Sequence, residues 1–186
     1  MIHFKKVRWK NFLSTGNHFT EVILDRSKTT LIIGENGAGK STVLDALCFG
    51  LFGKPYRSIK KNQLVNSINS GKSEVEIEFR IGTNEFLVRR GIKPNTFDII
   101  RNGEAMDQDA HSRDFQKVLE DQILKLNYKT FTQVVILGSS CFIPFMQLST
   151  THRREVVEDI LDIKVFSLMN TLLKLKYKEI KSEVDD

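Results

Sequence analysis

Cysteine is nearly absent. Cys48 and Cys141 are the only two in 186 residues. That is too few to staple a secreted fold, and reduced thiols in a cytosolic protein fit best. No apolar run approaches the ~18 residues of a membrane span. The start, Met1-Ile2-His3-Phe4-Lys5-Lys6, lacks the apolar core of a signal peptide. The expectation is a cytoplasmic protein with no membrane partner. His3, His18, His111 and His152 are scattered without metal-ligand spacing. There is no internal repeat and no low-complexity segment. What remains, 40% hydrophobic and 27% charged, suits one globular domain with a sizeable core.

The net charge of +5 is unevenly spread: through Lys61 there are 11 Lys and Arg against 4 Asp and Glu, and beyond it 17 against 19. A basic N-terminal third suits a polyanion such as nucleic acid, and equally a solvated surface plus a phosphate site. Lys5, Lys6, Arg8, Arg57, Lys60 and Lys61 are the candidate contacts to the backbone of double-stranded DNA.

The stretch Gly34-Glu35-Asn36-Gly37-Ala38-Gly39-Lys40-Ser41 organises the chain. It reads G-x-x-x-x-G-K-[ST], a phosphate-binding loop. Before it, Thr29-Thr30-Leu31-Ile32-Ile33 has the β-branched, apolar character of a buried strand. After it, Leu44, Leu47, Cys48 and Leu51 recur at helical spacing. The glycines let backbone N–H groups wrap phosphates, and the helix N-terminus adds positive dipole. Lys40 would reach the β- and γ-phosphates and the Ser41 hydroxyl would ligate Mg²⁺, with Thr42 opening the helix. Glu35 occupies a variable loop position and is expected to face solvent.

Around the loop, the opening segment reads as a strand with Ile2, Phe4, Val7 and Trp9 as buried positions. A polar-aromatic turn, Lys10 to Ser14, follows. Phe19 to Leu24 is a second strand. Gly50 and Gly53-Lys54-Pro55 are expected to stop the loop helix, and Arg57 to Val65 to form a helical turn or two. Ser73 to Ile81 alternates, with Val75, Ile77, Phe79 and Ile81 inward and Glu74, Glu76, Glu78 and Arg80 on a wet face. Glu85 to Arg90 and Thr96 to Arg101 continue an antiparallel meander inserted into a nucleotide-binding fold, with a tight turn at Asn102-Gly103. Asp114 to Leu126 is amphipathic and helical. Phe131 to Leu137 reads as a buried strand, Gly138 to Leu148 as a loop, and Ser149-Thr150-Thr151 as N-caps of a helix through Ile160. From Leu161, Val165, Leu168, Leu172 and Leu175 form an a/d seam of barely two heptads, open to a coiled coil or an ordinary amphipathic helix.

The order of these parts resembles a known family. Lys10-Asn11-Phe12-Leu13-Ser14, the G-E-N-G-A-G-K-S-T loop, the L-D-A-L-x-F-G-L-F-G helix, the antiparallel strands, Phe142-Ile143-Pro144-Phe145 and the Arg153–Asp162 helix occur in sequence. Together they resemble the N-terminal ATPase half of the SMC-like double-strand-break repair ATPases, the ATPase subunits of SbcCD-type nucleases. The run from Phe49 to Leu64 is most similar to T-even-like phage members. The resemblance spans essentially the whole chain. It implies an α/β P-loop NTPase lobe of ABC-ATPase type over residues 1–160 and the start of a coiled coil over 161–186. It implies ATP and Mg²⁺ as cofactors. Gly34, Glu35, Asn36, Gly37, Ala38, Gly39, Lys40, Ser41 and Thr42 would hold the nucleotide, beside Lys10, Asn11 and Ser14. The implied partners are the chain's own C-terminal ATPase half, a second copy of the head, a metal-dependent nuclease subunit and double-stranded DNA.

The chain departs from the family at two places. Leu13 stands where an Arg is usual. No Gln occupies the glutamine-loop positions, which fall on Ser139, Ser140 and Cys141; the Ser139 hydroxyl is the candidate to reach metal or water there. No apolar strand ending in Asp-Glu and no L-S-G-G-type segment occurs; in the family both lie in the C-terminal half. The expectation is therefore a truncated ATPase, part of a nuclease complex, that binds ATP poorly and hydrolyses almost none alone. The alternatives are an ATP-switched chromosome clamp or tether, and an ABC transporter ATPase.

Overall fold

The computed structural model describes residues 1–106, 112–137, 143–161 and 163–185. Contacts divide the chain into two compact units, Met1–Leu124 and Lys125–Asp186.

The first unit is built on one antiparallel sheet. Its strands are β1 (Ile2–Lys10), β2 (Thr20–Ile23), β3 (Ser73–Ile81), β4 (Asn84–Ile92), β5 (Thr96–Arg101) and β6 (Glu104–Ala105), in the spatial order β2-β1-β3-β4-β5-β6. The antiparallel meander continues the sheet that the N-terminal strands begin, because β1 pairs with β3 from Ile2 opposite Ile81 to Lys10 opposite Glu74. The expected inward positions of β1 change parity between Phe4 and Val7. The strand accommodates this with a register shift between Phe4 and Lys6, a bulge that returns the apolar residues to the buried face. Val7 and Trp9 are buried with Val75, Ile77, Phe79, Val88 and Ile99. The turn after β5 has Asn102 and Gly103 both at positive φ, 52° and 86°, as a tight hairpin turn requires.

Helix α1 (Thr42–Phe52) lies on the buried face of the sheet, and ten of its residues are buried. Its end corrects one expectation. Gly50 does not stop the helix; Gly53 does, at φ 68° with its N–H donating to Phe49 O, a left-handed C-terminal cap. Gly50 is instead a contact point. A Cβ there would lie 2.3 Å from Ile77 Cδ1 and 3.2 Å from Val75 Cγ1. A short 3₁₀ turn, Lys61–Leu64, and a clasp around buried Asn66 lead into β3. The helix expected from Asp114 begins as α2 (Ser112–Lys117) and passes into a π-helical stretch, Val118–Leu124. Phe115, Leu119 and Leu124 are its buried residues.

Two expected strands are absent. Thr29–Ile33 has no regular structure, and Leu31 and Ile33 are 80% and 82% exposed. A strand needs a hydrogen-bonding neighbour, and among the described residues none runs beside this segment. Phe131–Leu137 is largely helical, belonging to α3 (Tyr128–Val134) in the second unit. The Asn127 side chain caps that helix, accepting from Thr130 N at 2.9 Å, so the first turn is fixed before the β-branched run begins.

In the same unit α4 (Thr150–Ile160) starts at the expected cap, Ser149, whose hydroxyl accepts from His152 N. Asn127 Nδ2 and Thr130 Oγ1 both donate to the buried Asp159 Oδ2, tying α3 to α4. Helix α5 (Lys164–Asp185) follows. Val165, Leu168, Leu172 and Leu175 are all more than half exposed on it.

The wet face of β3 also needs revision. Glu76 is only 3% exposed, because arginines from both neighbouring strands close over it. Arg8 Nε donates to Oε2, and Arg89 Nε donates to Oε1 at 2.7 Å. Burial pushes the Glu76 pKa up, but the hydrogen bonds from Arg89 and Arg8 outweigh it and hold the carboxyl below its ordinary value.

Candidate nucleotide-binding site

The phosphate loop closes on itself at the N-terminus of α1. Gly37 and Gly39 stand at φ 89° and 92°, backbone that side-chain-bearing residues rarely adopt. Ala38 N donates to Glu35 O and Thr42 N to Gly39 O, at 3.2 and 2.9 Å. Lys40 turns back over the loop, and its Nζ donates to Gly34 O and Glu35 O at 2.6 and 2.7 Å. The ammonium is therefore held inside the curl of backbone where phosphate oxygens would sit. Ser41 occupies the N-cap of α1, yet its side chain makes no capping bond. That leaves an exposed hydroxyl at the helix end for a metal ligand.

These groups border a cleft of about 600 Å³. Asn36, Gly37, Gly39, Lys40, Ser41 and Thr42 line one side, and Leu13, Ser14, Arg57, Ile59, Gln63, Val65 and Ser67 supply the rest. Phe12 packs on Phe49 of α1 with ring centroids 5.6 Å apart, which brings the Lys10–Ser14 turn beside the loop. Asn66 then clasps that turn. Its Nδ2 donates to Leu13 O and Thr15 O, while its Oδ1 accepts from Ile68 N and Asn69 N. The residues fit a nucleotide polyphosphate with Mg²⁺: N–H donors, a cation and a free hydroxyl converge on one open cleft. ATP would lie with its phosphates against Gly34–Thr42, and Mg²⁺ would take the Ser41 hydroxyl as a ligand. Among the described residues no group of three or more His, Cys, Asp or Glu side chains could hold a metal ion by itself.

Ser14 lines this cleft; Lys10 and Asn11 do not. Lys10 Nζ pairs with Glu74 at 2.7 Å on the outward sheet face and stacks over Phe19 at 4.5 Å. Asn11 is buried, and its side chain joins Asn17 and Asn69. It fixes the turn from behind. Ser139 lies outside the described residues.

The nucleic-acid candidates are dispersed. Lys5 pairs with Glu85, Lys6 with Glu78 and Glu21, and Arg8 with Glu76. The hydrogen bond to Glu78 raises the Lys6 pKa. Arg57 belongs to the cleft, paired with Asp45. Lys60 and Lys61 are exposed, with Lys61 Nζ donating to Asn95 Oδ1 at 3.0 Å.

Asp45 and Asn66 were not singled out from the sequence. Asp45 had a signal: it is the lone charge within the apolar run Val43–Phe52. Asn66 had none, since the two partners that make it a clasp, Leu13 O and Thr15 O, lie 53 and 51 residues away in sequence.

An AAA domain model matches residues 6–185. The chain is 42% identical to Exonuclease subunit 2 of Escherichia phage RB69, over 96% of this chain and 32% of that protein. It is 26% identical to the DNA double-strand break repair Rad50 ATPase of Sulfolobus acidocaldarius, over 96% of this chain and 20% of that protein. The chain spans about a third or less of the length of these relatives. In fold it resembles the Smc head domain of Pyrococcus furiosus, solved with an extended coiled coil and the C-terminal domain of ScpA. The TM-score is 0.66 at 21% identity, covering 98% of this chain and 48% of that one.

Proposed function

The chain belongs to the AAA domain family, and on that premise we propose that it is the ATP-binding half of an SMC-like DNA repair and recombination ATPase. The observation that carries this reading is the self-closed glycine loop with Lys40 turned into it at the start of α1. ATP with Mg²⁺ would bind there between two copies of the head, and binding would control a partner nuclease at double-strand ends. The relatives support the assignment through their names, an exonuclease subunit and a double-strand break repair ATPase.

The supporting partners are a C-terminal ATPase half, a second copy, a metal-dependent nuclease subunit and double-stranded DNA, in the cytoplasm. No helix among the described residues is long and apolar enough to cross a membrane. Residues 1–160 would form the ATPase lobe and 161–186 the base of a coiled coil, for which the exposed apolar positions of α5 offer a seam.

The test is calorimetry with ATP and Mg²⁺. Lys40→Ala removes a charge-assisted phosphate contact, costing about 1.5–3 kcal/mol, or more than tenfold in affinity. Equal affinity in both proteins sinks the assignment. Turnover by these 186 residues should lie orders of magnitude below that of a head joined to its C-terminal half, since no water-positioning carboxylate accompanies the loop among the described residues lining the cleft.

A further inference from the structure

Arg90 stands where β4 is expected to be apolar. Phe86 and Val88 precede it on the inward face of the sheet and are buried, and period-two alternation carries Arg90 to the same side. The end of α1 meets its charge there. Arg90 Nε donates to Gly50 O at 2.9 Å and Nη2 to Leu51 O at 3.4 Å. These carbonyls belong to the last turns of the helix, where the dipole is negative. The Phe97 ring backs the guanidinium, its centroid 3.7 Å from Cζ. Burial pushes the Arg90 pKa down to about 10, which leaves the group charged at neutral pH.

Gln116 of α2 completes the grip. Its Oε1 accepts from Arg90 Nη2 at 2.6 Å, and its Nε2 donates to Leu51 O at 3.0 Å and to Glu120 Oε1 at 2.7 Å. Both N–H groups of the amide and its oxygen are thus used. A flipped amide would turn its N–H groups against the guanidinium, so only one orientation serves. Glu120 lies in the π-helical stretch Val118–Leu124. One chain of hydrogen bonds therefore runs from the helix that begins at the phosphate loop to a stretch wound wider than an α-helix. Such a stretch has two discrete forms, because a return to α-helical winding shifts the hydrogen-bond register by one residue. The stretch ends at Leu124, the last residue of the first unit, and Lys125 follows at φ 54°.

We propose that Val118–Leu124 is a conformational relay that reads nucleotide occupancy through α1, with Gln116 as its latch. This rests on the reading of the cleft as an ATP site. Phosphate bound at the N-terminus of α1 restrains the loop and the first turn. The helix has eleven residues, ten of them buried, so close packing makes it respond as one body. Its last carbonyls pass the restraint to Gln116, and Gln116 Nε2 holds Glu120 in register with them. Occupancy then favours one winding of the stretch, and by linkage that winding favours occupancy to the same degree. Arg90 and Gln116 do not line the cleft; they are positioning residues that act through α1.

The experiment is amide hydrogen exchange on the whole chain, with and without saturating ATP and Mg²⁺. Peptides covering residues 34–42 and 118–124 are read separately. Wild type, Lys40→Ala, Gln116→Leu and Gln116→Glu are compared. In wild type the nucleotide should slow exchange in both peptides, in the second by about fivefold or more. Gln116→Leu removes all three bonds of the latch, and Gln116→Glu keeps only the one from Arg90. In both variants residues 34–42 should still respond and residues 118–124 should not. ATP affinity, read by calorimetry, should fall in both by a factor similar to the response lost. A merely structural Gln116 would speed exchange with and without nucleotide alike and leave the response intact. No response at residues 118–124 in wild type, or an undiminished one in Gln116→Leu, overturns the inference; if Gln116→Leu does not fold, Gln116→Glu decides by the same criteria. Failure of the ATP reading looks different: residues 34–42 would then gain no protection in wild type, or gain it equally in Lys40→Ala.

Discussion

Replacing Gly50 by Ala opposes two effects of known sign. Gly50 lies inside α1, where Ala is favoured over Gly by about 0.8–1.0 kcal/mol. If only helix propensity counted, Gly50→Ala would stabilise the protein. The new Cβ, however, would lie 2.3 Å from Ile77 Cδ1, 3.0 Å from Ile77 Cγ1 and 3.2 Å from Val75 Cγ1. Rotating the terminal methyl relieves only the first contact. Cγ1 of Ile77 remains too close, and both residues are fully buried, so α1 must move off β3. Overpacking of this kind costs about 1–3 kcal/mol, leaving a net effect that runs from about zero to a loss of about 2 kcal/mol after the propensity gain. For a chain of this size that is a fall in melting temperature of up to about 8 °C. Thermal and urea unfolding of Gly50→Ala, Ile77→Val and the double variant supply the cycle. Ile77→Val alone should cost about 0.5–1.5 kcal/mol, and the double variant less than the sum, because the smaller side chain makes room. A Gly50→Ala protein more stable than wild type by the full propensity gain of about 0.8–1.0 kcal/mol, or strict additivity in the double variant, refutes the close-approach argument.

Asn66→Ala should destabilise the first unit by about 2–3 kcal/mol, since four hydrogen bonds from one buried amide are lost at once; weakened ATP binding should accompany it, read by calorimetry. Glu76 has a depressed pKa in the folded state, so its stabilising contribution is present above the unfolded carboxylate value of about 4.3 and is lost as pH falls through the lower folded value. The stability gap between wild type and Glu76→Gln, about 2 kcal/mol at neutral pH, should therefore shrink below about pH 4, as urea titrations across pH would reveal; a gap independent of pH would count against the pairing.

The phosphate loop and the sheet strands were legible because their signals are local. Glycine spacing fixes the loop, and period-two alternation of apolar and polar residues marks β3 from Glu74 to Ile81. Thr29–Ile33 and Phe131–Leu137 misled for opposite reasons. The first has strand composition but no neighbour among the described residues to pair with. The second has a β-branched run, Val134-Val135-Ile136, yet Thr130 and Phe131 bury on one helical face behind the Asn127 cap. Gly50 read as a helix stop because glycine punctuates helices more often than it lets them approach a sheet. Only the contact with Ile77, 27 residues away in sequence and invisible locally, distinguishes the two roles.

The charge asymmetry of the sequence carries the same lesson about distance. The surplus of cations before Lys61 suggested a basic face. Its members on β1, however, point at carboxylates supplied by later strands: Lys5 at Glu85, Lys6 at Glu78, Arg8 at Glu76 and Lys10 at Glu74. Arg57 is paired in the same sense with Asp45. Antiparallel pairing of β1 with β3 brings a basic strand against an acidic one, so segregation along the chain becomes neutralisation in space. A cation already paired with a carboxylate displaces few counterions from DNA, and the salt dependence of binding counts released counterions. Removing Lys5 and Lys6 should therefore change the salt slope for duplex DNA less than removing Lys60 and Lys61. Those two are exposed and have no carboxylate partner among the described residues, so they retain the charge that a phosphate backbone can recruit.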